Sequence, residues 1–149
     1  MPDNNLTLHR VLKAAPEKVF RAFSEPLAYA SWIPPYGFLC MVHHMDFKAG
    51  GSFRMSFMNF STGNSNSFGG NFLEIKPNEF IKTSDKFDDP NLPGEMITSV
   101  WLKKVTSGTE LKILQENIPS VIPLDMCYLG WEDSLDKLKK LVEPEIPDN

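Results

Sequence analysis

The chain has 149 residues, 42% of them hydrophobic and 23% charged, which suits one globular domain whose core needs no disulfide staples. Its net charge of −4 comes without any stripe of Lys and Arg, so a nucleic-acid backbone finds no electrostatic footprint. No apolar run approaches the roughly 18 residues of a membrane span, and residues 1–10 are too polar for a secretory signal, so a cytoplasmic location is expected.

The chain opens with a partly alternating segment, Leu6-Thr7-Leu8-His9-Arg10-Val11-Leu12, which predicts a strand over residues 5–13. Pro16 then suits a first helical position, and Val19, Phe20 and Phe23 give that helix an apolar stripe. A second short helix is expected from Pro26 to Trp32, stopped by Pro34 and Pro35.

From Phe38 to Ile118 the punctuation is that of strands and turns. Gly50-Gly51, Gly63-Asn64, Pro77-Asn78 and Ser107-Gly108 are turn signals. The runs between them, rich in Phe, Ile, Val, Thr and Met, predict strands at about 38–47, 51–60, 67–76, 79–87, 95–105 and 109–118. Residues 88–94 read as an exposed loop. At least one of Gly50 and Gly51 is expected to need a positive φ in its hairpin.

The period changes again near the C-terminus. Leu124, Tyr128, Trp131, Leu135, Leu138 and Val142 recur at spacings of 4 and 3, one face of a long helix, with Asp133, Asp136, Lys137 and Lys140 expected to face water. Residues 144–149 are expected to form a frayed tail. The whole is an α+β domain: a seven-stranded antiparallel sheet curled around one long helix, with two short helices after the first strand. One helix cannot fill the concave side of such a sheet, so a cavity is expected between them.

Several segments resemble the START-like, or SRPBCC, superfamily, whose fold is the helix grip. The likeness is strongest to the branch of homologues of the activator of the heat-shock protein 90 ATPase. It rests on Ala15-Pro16-Glu17-Lys18-Val19-Phe20-Arg21-Ala22-Phe23, on Trp32-Ile33-Pro34-Pro35, and on Asp46 with Gly50-Gly51-Ser52-Phe53-Arg54. Gly70, Glu74-Ile75-Lys76-Pro77, Gly108-Thr109-Glu110-Leu111 and Gly130-Trp131 with Ser134-Leu135 and Leu138 follow in order. The resemblance covers about residues 6–143. Many relatives read Leu-Thr-Leu-Thr-His-Glu-Gly along the last strand; here Gln115 stands where that His often stands.

The resemblance implies a domain whose members include ligand carriers, cyclases, hydrolase-like enzymes and co-chaperone domains, and fold alone does not choose among them. His43 and His44 are adjacent in a predicted strand and are expected on opposite faces, so they cannot share a metal. No nucleophile elbow, zinc motif or phosphate loop appears, and neither metal nor cofactor is expected. Cys40 and Cys127 are expected as free thiols. Asp46 is expected at the surface or capping its turn, and Glu74 is expected to pair with Arg54.

The informative set is aromatic. Phe53, Met55 and Phe57 alternate with polar residues, and Phe68 and Phe72 share a parity on the next strand. The expected cavity wall comprises these with Trp32, Tyr36, Phe38, Gln115, Tyr128, Trp131 and Leu135. The leading functional expectation is non-enzymatic binding of a small apolar or aromatic molecule, such as a lipid or polyketide-like compound. A cyclase, hydrolase or dehydratase is the second, with Asp46, Arg54, Tyr36 and Gln115 as polar candidates that must converge to work together. A chaperone partner is the third, implied by the family's name, although the chain is expected to lack the separate N-terminal domain of the full co-chaperone.

Overall fold

The computed structural model describes residues 4–148. Strand β1 (Leu6–Leu12) is followed by helices α1 (Pro16–Ser24) and α2 (Pro26–Trp32). Six strands come next: β2 (Phe38–Met45), β3 (Ser52–Asn59), β4 (Ser65–Lys76), β5 (Phe80–Phe87), β6 (Met96–Val105) and β7 (Gly108–Glu116). Helix α3 (Leu124–Val142) closes the chain. The expected elements are all present, most of their ends within two residues of the sequence reading.

All seven strands form one antiparallel sheet in the order β1-β7-β6-β5-β4-β3-β2. From β2 to β7 every pairing joins sequence neighbours. β1 alone pairs across the chain, Leu6 opposite Gln115 and Leu12 opposite Thr109. The link from β1 to β2 must therefore travel from one edge of the sheet to the other, and α1 and α2 make that journey. Both helices begin with Pro at the position where its missing N–H is harmless.

The sheet curls around α3. Its concave face contributes Leu8, Leu12, Phe53, Met55, Phe72, Ile81, Val100, Leu102, Leu111 and Ile113 to the core. Leu135, Leu138 and Val142 come down from α3, and Val19, Ala22, Phe23 and Trp32 from the short helices. Arg10 on β1 reaches Glu132 on α3 at the edge of this core.

Three expectations change. A β-bulge between Val42 and His44 breaks the alternation of β2. Both imidazoles thus turn to the convex face, His43 Nε2 2.6 Å from Ser56 Oγ and His44 Nε2 3.0 Å from Ser52 Oγ. Arg54 does not meet Glu74: it lies opposite Gly69, several residues along β4, and forks onto Asp88 at 2.9 and 2.5 Å. The buried face of α3 also differs from the expected stripe: Ser134 joins it at mid-helix, and Tyr128 in the N-terminal half is exposed. Asp133, Asp136 and Lys137 are half-covered rather than fully in water, and burial lowers the Lys137 pKa.

The Gly50-Gly51 hairpin uses its two glycines differently. Gly50 sits at φ +86°, in the left-handed region. At Gly51 a Cβ would stand 2.0 Å from the backbone oxygen of Asp46, so the turn has no room for a side chain.

Candidate functional site

Between α3 and the concave face lies a pocket of about 230 Å³. The alternation of each strand decides its wall. β3 offers Phe53, Met55 and Phe57, β4 offers Phe68 and Phe72, and β5 offers Ile81, Thr83, Asp85 and Phe87. β6 adds Met96, Thr98 and Val100, and β7 adds Gln115. Phe23 of α1, Tyr29 of α2, and Cys127, Gly130, Trp131 and Ser134 of α3 complete it, with Ile33, Pro35, Met45 and Phe47 from the connections and the end of β2.

The rings touch one another in two chains. Phe47, Phe72 and Phe53 meet at centroid distances of 4.9 and 5.3 Å. Phe57, Phe68 and Phe87 meet at 4.9 and 6.3 Å. Edge-on and tilted contacts of this kind favour a fixed arrangement over a sliding one.

A polar strip crosses this apolar bowl. Gln115, Thr98 and Thr83 stand in register on β7, β6 and β5. Trp131 donates its indole N–H to Gln115 Oε1 at 3.1 Å, and Gln115 Nε2 donates to Thr98 Oγ1 at 3.3 Å. Asp85 follows two residues beyond Thr83 on the same face. Among the described residues, its Oδ1 is the one buried side-chain oxygen or nitrogen with no hydrogen-bond partner. Burial, and then the charge of Glu95, push its carboxyl up to about 7. Burial, reinforced by the Asp85 charge, likewise raises the Tyr29 phenol well above its ordinary value.

The family model for activator of Hsp90 ATPase homolog 1-like proteins matches residues 13–143. The chain belongs to this family. Its fold places it in the START-like, SRPBCC superfamily. A Chromobacterium violaceum protein of known structure is 50% identical, with a TM-score of 0.94 over 95% of this chain and 99% of that one. A Rhodobacter sphaeroides protein is similar in fold, at 20% identity and a TM-score of 0.81 over 91% and 90% of the two chains. So is an AHSA1-like protein from Aeromonas hydrophila, at 18% identity and 0.76 over 93% and 92%. No curated protein matches the chain.

Within this activator-homologue domain, Phe53, Met55, Phe57, Phe68, Phe72, Gln115 and Trp131 come together around the pocket. The other five residues expected there lie elsewhere. Trp32 is fully buried behind the wall, donating to the backbone oxygen of Ala22 at 2.8 Å and packing edge-on against Phe23 and Tyr29. Helical phase turns Tyr29 and Ile33 to the pocket and Trp32 away from it. Tyr36 is 51% exposed and its hydroxyl bonds Asp136 outside. Phe38 stays half-buried at the start of β2, Tyr128 lies outside near Glu132 and Arg10, and Leu135 is core. Ser134, which carried no role in the sequence reading, donates to the backbone oxygen of Ile33 at 2.6 Å and locks α3 to the end of α2.

The four polar candidates for catalysis do not converge. Gln115 lines the pocket; Asp46 lies near Lys48 at 3.6 Å, Arg54 binds Asp88, and Tyr36 faces out. Among the described residues no group of three or more His, Cys, Asp or Glu is placed to hold a metal. Among the described residues no helix is long and apolar enough to cross a membrane.

Proposed function

We propose that this domain binds a small apolar or aromatic molecule, of lipid or polyketide-like character, between α3 and the sheet. The observation that carries the reading is the 230 Å³ pocket walled by Phe, Met and Trp side chains, with few polar groups gathered on one strip. A second feature supports it. Gly130 lies inside a 19-residue helix, where glycine costs roughly 0.5–1 kcal/mol relative to alanine. A Cβ there would meet nothing within 4 Å, so no packing clash demands the glycine. It keeps the helical wall of the pocket thin.

The enzymatic reading based on Asp46, Arg54, Tyr36 and Gln115 loses its basis, since acid–base partners must reach one reacting group. The binding reading is tested by titrating the labelled protein with fatty acids and flavonoid-like aromatics and following methyl and aromatic NMR shifts. Shifts at Met55, Met96 and Phe68 with saturable binding are expected. A panel that moves only convex-face residues, or none, sinks the proposal.

A further inference from the structure

The pocket's one strongly acidic group is unmatched. Asp85 lines it, its Oδ1 is sealed from solvent, and no donor among the described residues reaches that oxygen. The pocket lining contains no Lys, Arg or His that could neutralise the carboxylate. Around Asp85, β4 contributes Gly70 in register and β6 contributes Met96, neither of which titrates. The titratable groups that feel its charge are Tyr29 on α2 and exposed Glu95 just before β6, and Cys127 on α3 lines the same pocket. The phenol and the thiol are both held towards their neutral forms by burial, and Glu95 adds negative potential. The rest of the wall is aromatic, and ring faces attract cations.

We propose that Asp85 makes the pocket selective for a small lipophilic amine, an apolar or aromatic body carrying one protonated nitrogen that pairs with the carboxylate. This rests on the binding function proposed above and names its ligand class. A protonated amine supplies the missing donors and the missing positive charge together. A neutral hydroxyl supplies one donor and leaves the charge uncompensated in a low-dielectric site. Because burial favours the protonated acid, binding the amine displaces the Asp85 proton. Amine affinity therefore rises with pH up to about 7 and then levels until the amine itself deprotonates near ~10.

The test compares 4-phenylbutylamine with its neutral counterpart 4-phenylbutan-1-ol by calorimetry on the full chain at pH 8. The amine is expected to bind about ten- to a hundredfold more tightly, the range of a charge-assisted hydrogen bond. Asp85→Asn is expected to erase that ratio, with the amine weakened about ten- to a hundredfold. Carbon-13 NMR of the Asp85 carboxyl in the unmodified chain, which needs no variant to fold, should show its titration moving to lower pH with amine. Equal or tighter binding of the alcohol, or an unmoved carboxyl titration, overturns the amine assignment and leaves the apolar-binding function standing. Failure of both compounds to bind overturns both.

Discussion

Trp131 on α3 donates its indole N–H to the side-chain oxygen of Gln115 on β7, joining the helix to the sheet across the head of the pocket. Gln115 passes the connection to Thr98 on β6. Replacing Gln115 with Leu leaves the indole N–H without a partner in a partly buried site, and a loss of about 1–3 kcal/mol in urea unfolding is expected. An unchanged midpoint would show that water replaces the amide at no cost.

Because the Trp131 ring borders empty space, Trp131→Ala should cost less than the ~3–5 kcal/mol of a fully packed aromatic. Its fluorescence should respond to ligand. In a protein carrying Trp32→Phe and Trp101→Phe, quenching on ligand addition is expected, because Trp32 lies behind the wall and Trp101 packs on Phe80 outside. Quenching that survives Trp131→Phe in an otherwise unaltered chain would place the ligand away from α3.

Asp85 sets a pH dependence of stability with an uncommon sign for a carboxylate. Its native carboxyl titrates at about 7 and the ordinary value is 3.8, so the folded state holds the proton more tightly. Its contribution is fully present below about pH 4, falls as pH rises towards 7, and is flat above that. The total loss is at most about 4 kcal/mol, from roughly three pH units at 1.36 kcal/mol each. In Asp85→Asn this slope should vanish from denaturation curves taken between pH 4 and 8. A slope that persists in the variant assigns the effect to another group.

Two glycines should respond to alanine with opposite signs. Gly70 lies opposite Asp85, and a Cβ there would stand 1.7 Å from the backbone oxygen of Ser84. Gly70→Ala must part β4 from β5, and a loss above about 2 kcal/mol is expected. Gly130→Ala enters open space and should raise stability by about 0.5–1 kcal/mol. Gly130→Leu should fill the pocket and weaken ligand binding without unfolding the domain. Thermal melts and titrations of the three variants check all of this together.

The thiols give a chemical reading of the same wall. Burial pushes Cys40 up to about 11 and raises Cys127 as well. Both should react slowly with a disulfide reagent at pH 8 and quickly after unfolding, since the thiolate is the nucleophile. Cys127 lines the pocket and should be further protected by ligand, whereas Cys40 should not. Equal protection of both would point to general stabilisation.

Much of this architecture could be read from the chain because its punctuation is strong. Pro16 and Pro26 open helices, Gly50-Gly51 closes a hairpin, and Phe53-Met55-Phe57 alternate with polar neighbours. The site was less legible for identifiable reasons. On β5, Ile81, Thr83, Asp85 and Phe87 share one parity, but Phe80 stands on the other, so the apolar face was not obvious. A carboxylate between Ile81 and Phe87 on that parity was the signal for Asp85. In the seven-residue α2, Tyr29 and Trp32 both fit an inward face, and only packing against α1 decides between them. Tyr128 matched the spacing of the α3 stripe, yet the sheet supports that stripe firmly only from Ser134 onwards. The two histidines were misassigned because a bulge leaves no mark in a residue pattern.

The unequal pairing of the strands has a kinetic side. Strands β3 to β7 each meet the neighbour that was synthesised just before, so that meander can form by short loop closures. β1 leaves the ribosome first and yet waits for β7, because Leu6 finds its place only beside Gln115. Until then Leu8 and Leu12 have no sheet to cover them, and the sheet edge at β7 stands open. The return of β1, which carries α1 and α2 with it, is therefore expected to be the last act of folding. Pulse-labelled amides of β1 should gain protection after those of β4 and β5.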